Sequence, residues 1–169
     1  HGHLELGRWR RQVTISNVTP CVDNPLSQAL TREDAVAGDG GIAFGGDGGP
    51  AVAARLAYPR GLATDGDGRI VIADTVNQRI RRVEVDGIIT TIAGNGVIGE
   101  VSDGGGATSA ALYRPDAALV AADGTIYIAE TGQHRVWRVD PTTRAIVTIA
   151  GRGVGADDGD GGPATVASR

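Results

Sequence analysis

Residues Tyr58 to Gly94 read YPRGLATDGDGRIVIADTVNQRIRRVEVDGIITTIAG, and residues Arg114 to Gly151 read RPDAALVAADGTIYIAETGQHRVWRVDPTTRAIVTIAG. Pro59, Ile70, Arg79 and Val83 are matched 56 positions later by Pro115, Ile126, Arg135 and Val139. Ala93-Gly94 and Ala150-Gly151 are 57 apart, because the longer Asp140-Pro141-Thr142-Thr143 replaces the turn Asp86-Gly87. Self-similarity at a fixed period marks a repeat architecture, in which each unit buries its apolar face against a neighbour.

Each unit divides into four short strands. In the first they fall near Gly61–Thr64, at Arg69–Ala73, at Arg79–Val85 and at Ile88–Ile92. The Asp-Gly pairs between them suit tight hairpin turns, because Gly takes positive φ without cost and Asp tolerates it. Val, Ile, Thr and Tyr fill the strands, as a pleated, half-buried surface favours. The run Arg69-Ile70-Val71-Ile72-Ala73 is almost continuously apolar, which predicts a strand covered on both faces. A repeating four-stranded unit with both faces covered is a β-propeller blade. The expected fold is therefore all-β: a propeller with two full blades, about 58–94 and 114–151, and parts of their neighbours.

Working outward, the connectors repeat too. They read GDGGPAVAARL from Gly46, SDGGGATSAAL from Ser102 and GDGGPATVASR from Gly159. Each is expected to form one short helix, with Asp47, Asp103 and Asp160 as N-caps and Gly and Pro in the first turn. Ala37-Gly38 lies 56 positions before Ala93-Gly94, so the last strand of a preceding unit ends there. Residues 35–169 then form the propeller segment. Residues 1–34 do not match the pattern, leaving open a divergent blade or a linker.

Composition agrees with this reading. Of 169 residues, 41% are hydrophobic and 21% charged, ordinary globular usage that argues against disorder throughout. The 27 glycines cluster between apolar stretches with no G-X-Y period, which excludes collagen. Net charge is −4 and all 16 basic residues are Arg, so the chain lacks the overall basic footprint of a dedicated nucleic-acid binder. Cys21 is the single cysteine, which rules out an intrachain disulfide. No apolar run reaches membrane-spanning length. The first residues carry no leader-like apolar stretch and the chain contains no Met. It reads as a piece of something longer, so a missing leader is no argument for the cytoplasm.

The motif residues resemble a known family. Asp74-Thr75-Val76-Asn77-Gln78-Arg79-Ile80 and Glu130-Thr131-Gly132-Gln133-His134-Arg135-Val136 are similar to the NHL-repeat motif D-T-G-N-H-R-I. The run Ile88 to Gly96, ending T-I-A-G-N-G, resembles bacterial NHL repeats and the propeller of teneurin cell-surface proteins. Gln78 stands for the usual His in one unit, and Gln133 for Asn in the other. The resemblance implies a propeller of about six blades that binds proteins, carbohydrate or, in some eukaryotic members, RNA. It also admits enzymes, such as peptide-amidating lyases with metal in the central cavity. Fold alone does not choose among these.

Several residues invite a functional reading. Arg79, Arg81, Arg82, Arg135 and Arg138, with Trp137 among them, form the most basic stretch. As an exposed Arg/Trp surface they would hold phosphate, carboxylate or a base by bidentate contacts and stacking. The structural alternative pairs Arg79 with Asp74 and Arg135 with Glu130, since the motif repeats both partners. Asp47, Asp103, Asp160 and the run Asp157-Asp158 suggest calcium or another divalent ion, but the Glu that closes an EF-hand loop is missing. The N-cap reading is preferred for these connector aspartates. Turn chemistry is preferred for Asp65 and Asp67, because Ala121 replaces Asp65 in the second unit. His1, His3 and His134 do not make a zinc set. No nucleophile elbow, Walker loop or His-Glu-x-x-His is present, so no catalytic residue and no cofactor is assigned. Asn17-Val18-Thr19 is a glycosylation sequon weakened by the following Pro20.

The expectation is a protein- or glycan-binding scaffold outside the cytoplasm: extracellular, periplasmic or at the cell surface. The alternative is a propeller lyase or hydrolase with metal near the axis. Because 169 is almost three times 56, two copies would make up a six-bladed ring.

Overall fold

A computed structural model describes residues 14–15, 35–153, 155 and 159–167. His1, His3, Cys21, the Asn17 sequon and Asp157-Asp158 lie outside the described residues. Two four-stranded antiparallel sheets dominate. The first holds β3 (Pro59–Thr64), β4 (Ile70–Asp74), β5 (Arg79–Val83) and β6 (Ile89–Ala93) in sequential order. The second holds β7 (Pro115–Val120), β8 (Ile126–Glu130), β9 (Arg135–Val139) and β10 (Ile146–Ala150). Before them, β1 (Thr14–Ile15) pairs in parallel with β2 (Ala35–Ala37). No helix among the described residues is long and apolar enough to cross a membrane.

The sheets are successive blades, packed face to face with β3 beside β7. Gly61 marks their closest approach: a Cβ there would stand 2.5 Å from the Asp116 carbonyl oxygen. Val71, Ala73, Ile80 and Ile92 of the first blade pack into one cluster with Leu112, Ile128, Trp137 and Ile146 around the second. The opposite face of the first blade places Ile72, Val83 and Ile89 against Ala37, Ala51 and Leu56. Each buried Val, Leu or Ile among them contributes about 1.5–3 kcal/mol.

The two blades differ in how they are covered. Along β4, Val71, Ile72 and Ala73 are all buried, as the continuous apolar run predicts. Along β8, Ile126 and Ile128 are buried but Tyr127 and Ala129 only half-buried. Val136, Ile149 and Ala150, the counterparts of buried Ile80, Ile92 and Ala93, are likewise half-buried. Equivalent residues thus show that the second blade has one covered face.

The connectors depart from expectation. Each contains a single 3-10 turn, at Ala51–Ala53, Ala107–Ser109 and Ala164–Val166. The N-caps are Pro50, Gly106 and Pro163, with no side-chain cap bond, so Asp47, Asp103 and Asp160 do not cap. They lie three residues too early to reach the first-turn N–H groups. The Asp-Gly-Gly run instead pairs with the outer edge of the blade's fourth strand. Gly48 donates to Ile89 and Ile89 to Gly49, and Gly104 and Gly105 repeat this with Ile146. The connector therefore covers a strand edge that would otherwise offer unpaired backbone groups. Its alanines then close against the preceding blade: Gly38, Gly94 and Gly151 donate to the carbonyls of Ala51, Ala107 and Ala164, each at 2.9 Å.

Candidate functional site

Both described blades carry a buried acid at the end of the second strand. Asp74 Oδ1 accepts from the Ala57 N–H at 2.7 Å, while Oδ2 accepts from Asn77 Nδ2 at 2.8 Å and Arg81 Nη1 at 3.3 Å. Fifty-six positions on, Glu130 Oε1 accepts from the Tyr113 N–H at 2.5 Å and Oε2 from Trp137 Nε1 at 2.7 Å. Burial pushes both carboxyls above their ordinary range, against the pull of these donors. The acid ties strand to connector in both blades.

This arrangement corrects the proposed pairing. Asp74 meets Arg81 rather than Arg79, and Glu130 takes an indole N–H in place of a guanidinium. Arg79 stands directly opposite Asp74 in the β4–β5 register, but its guanidinium is taken up by backbone carbonyls instead. Arg79 donates to the carbonyls of Asn77 at 2.9 Å and Asn95 at 2.7 Å, and lies 3.6 Å over the Phe44 ring. Arg135 forms a long 3.7 Å ion pair with Glu100 and lies 5.5 Å from the Trp137 ring.

The exposed Arg/Trp surface does not exist as one surface. Arg81 and Trp137 are fully buried, because the third residue of β5 and of β9 points into the connector side of its blade. Arg81 also meets Asp47 at 2.6 Å. Arg82 pairs with Glu84 at 2.6 Å. Arg138 is exposed, and Arg79 and Arg135 are half-buried. Asp47 and Asp103 latch the connector to the fourth strand: Thr91 Oγ1 donates to Asp47 at 2.6 Å, and Thr148 donates its N–H and its hydroxyl to Asp103, both at 2.9 Å. Asp160 lies exposed in its turn. Among the described residues, no three His, Cys, Asp or Glu side chains are grouped to hold a metal ion. At the far turns, Asp65 accepts from the Asp67 and Arg69 N–H groups and Asp123 from that of Thr125, which is turn chemistry.

Another feature, missed in the sequence, is more coherent. Ile42, Phe44, Tyr58, Val76, Val97 and Ile98 are six of the eleven exposed large apolar side chains among the described residues. Tyr58 stands just before β3 and Val76 in the loop from β4 to β5, at one end of the first blade. Ile42 and Phe44 precede that blade in a stretch held to it at Asn77 and Arg79, and Val97 and Ile98 follow β6 in a loop held to the second blade at Gln133. Phe44 is held there by Arg79, and its neighbour Ala43 accepts from Asn77 Nδ2 at 2.7 Å. The opposite end carries the acidic Asp65, Asp67 and Asp86 turns. One signal was legible: Val76 occupies a loop position where the second unit has Gly132.

Four-stranded sheets, edge-covering connectors and the repeated acid define the class of protein: a segment of a β-propeller, whose repeats are similar to NHL repeats. Residues 34–102 match the family model described as Teneurin NHL domain. Over 78 residues, 43% of this chain and 3% of the relative, it is 41% identical to Teneurin-m of Drosophila melanogaster. A solved structure from Bacteroides thetaiotaomicron VPI-5482, a structural genomics protein of unknown function, is similar with a TM-score of 0.50. That likeness has 25% identity and covers 65% of this chain and 25% of the other. The chain thus spans only a small part of the proteins it matches.

Proposed function

We propose that this chain is a propeller scaffold whose apolar blade end binds a protein or a glycan outside the cytoplasm. One observation carries the reading: six exposed apolar side chains on the loops that flank the first blade at Asn77 and Arg79 and the second at Gln133, away from the acidic turns. Contiguous exposed apolar surface on a folded domain marks an interaction site. The similarity to the teneurin NHL domain supports a place at the cell surface, in the extracellular space or in the periplasm. Arg79 and Arg135, which begin their strands at that end, would add polar contacts, as the rims of interfaces do.

The uncovered face of the second blade, with Tyr127, Val136 and Ile149, fits a further blade, supplied by a longer chain or by a second copy. Light scattering of the chain measures which: a discrete dimer supports the second copy. No specific observation favours the alternative of a propeller enzyme.

The test of the binding reading is a screen of the chain against cell-surface ectodomains and a glycan array, repeated with Val76→Glu and Ile98→Glu. Binding that is lost in both variants, with an unchanged melting temperature, supports the reading. Binding that persists in both, or none at all by the wild-type chain, overturns it.

A further inference from the structure

We infer that the end of the first blade where β3 begins and β4 ends docks a protein segment carrying carboxylates beside apolar side chains, an inference that rests on the protein half of the reading above. Repetition supplies the control. Residues that build the blade recur 56 positions on, as Pro59, Ile70 and Arg79 do. Those at this end do not: Phe44, Arg55, Tyr58, Arg60 and Val76 give way to Glu100, Ala111, Arg114, Asp116 and Gly132. The surface they make is therefore no requirement of the fold.

Hydrogen bonds draw separate segments together here. Ala43 accepts from Asn77 at 2.7 Å, and Phe44 lies beneath the Arg79 guanidinium at 3.6 Å. The Val76 N–H donates to the Ala57 carbonyl at 3.1 Å, which sets Tyr58 beside Val76. Ile42, Phe44, Tyr58 and Val76 are all exposed. Arg55, Arg60 and Arg114 frame them. The Arg55 N–H donates to the Gly45 carbonyl at 3.3 Å, next to Phe44, and the Arg114 N–H to Gln78 Oε1 at 2.5 Å. Arg60 lies at the start of β3.

Charge is layered in opposite senses at the two ends of the blade. Here the arginines stand outside: Arg55 and Arg60 are 58% and 57% exposed, over Asp39 and Asp116 at 21% each. Arg114 is exposed and has no ion pair among the described residues. At the turn end the carboxylate stands outside, with Asp67 70% exposed over Arg69 at 29%. On the second-blade side the exposed Glu100 bounds the cationic surface. Exposed pairs at 3.3 and 3.8 Å are weak and engage only the Nε of each guanidinium, so Arg55 and Arg60 keep donors for an incoming carboxylate.

This mixture selects the occupant. An acidic segment with Leu, Val or Phe covers the apolar side chains and answers the arginines at once. A sulfated glycan answers the arginines but leaves Ile42 and Val76 facing water. A basic segment is repelled, and a purely apolar one leaves the guanidinium groups unanswered. The acidic turns at the other end repel the same segment, so its approach is steered to this one.

The test is a random peptide library panned on the whole 169-residue chain, with heparin as the glycan probe. Retained peptides should combine Asp or Glu with Leu, Ile, Val or Phe, and should bind less tightly as salt is added. Arg60→Gln together with Arg114→Gln should weaken them about tenfold, and Val76→Ser should weaken them as well. All three side chains are exposed, so the melting temperature should hold. Arg138→Gln, toward the other end of β9, should leave the affinity unchanged. Neutral or basic retained peptides, no retained peptide, an affinity indifferent to the loop-end variants, or heparin binding more tightly than any peptide overturns the inference. If that happens while a partner dependent on Val76 and Ile98 is still captured, the acidic segment falls and the binding reading stands. If the chain retains neither peptide nor partner, both fall.

Discussion

The indole Nε1 of Trp137 donates to Glu130 Oε2 at 2.7 Å inside the second blade, where neither side chain reaches solvent. One repeat earlier the same two positions hold Arg81 and Asp74, an ion pair at 3.3 Å that is equally buried. A neutral donor and a charged one therefore solve one problem, a carboxylate that anchors the connector in the interior. Replacing Trp137 with Phe leaves one Glu130 oxygen unmatched and should cost about 1–3 kcal/mol in urea unfolding.

The ion pair should be less forgiving. Arg81→Met strands a buried Asp74 and should cost about 3–5 kcal/mol, whereas Asp74→Ala with Arg81→Met should recover part of that loss. A double variant less stable than the sum of the singles would show that the pair is not the source of the cost. Unfolding midpoints of the four proteins provide the comparison.

Acid stability should have two limbs of opposite sign. The Thr125 N–H holds Asp123, and the Thr143 N–H holds Asp140, below the usual carboxylate range. At Asp65 burial works upward, but Arg69 prevails and the net shift is also down. Stability from these groups is present above 3.8, their ordinary value, and is lost as pH falls through the folded value. Asp74 and Glu130 are pushed up by burial. Their contribution is complete below the ordinary values of 3.8 and 4.5 and is lost as pH rises through the folded ones. Melting temperature should thus rise and then decline with pH, and Glu130→Gln should flatten the decline while lowering stability as a whole. An unchanged slope in that variant would remove Glu130 from the account.

Gly132 and Tyr113 should be coupled. A Cβ on Gly132 would run into Tyr113, whereas Val76 fits in the first blade because Ala57 stands where the second has Tyr113. Gly132→Val should cost about 1–3 kcal/mol by overpacking, and Tyr113→Ala in the same chain should relieve only the part owed to the ring, because the Tyr113 carbonyl oxygen is also in the way. Additive losses in thermal melts would refute the coupling.

Phe44 and Arg79 form a half-exposed stack, so Phe44→Ala should cost only about 0.5–1 kcal/mol of cation–π attraction. A near-equal loss in an Arg79→Gln background would mean that the ring acts by burial alone.

Much of this architecture was legible without coordinates. The 56-residue period, the Asp-Gly turns and the apolar run Ile70–Ala73 led to four-stranded blades whose strands fall within two residues of those observed. Local rules suffice there, because turn conformation and strand burial depend on neighbours in the chain. The connectors were misread for the same reason: an Asp before Gly-Gly-Pro-Ala looks like a helix cap locally. Its actual use, holding Thr91 or Thr148 across more than forty residues, is set by which strand edge lies beside it.

The candidate site divides in the same way. Which residues recur, and hence which acid and which arginine belong to the blade, was determined by sequence alone. Only the tertiary structure decided that Asp74 chooses Arg81 over Arg79, that Trp137 is buried, and that Phe44 lies over Arg79. Strand order and register fix which positions face each other. Residues far apart in the chain, such as Phe44 and Arg79, become neighbours only once the sheet is assembled.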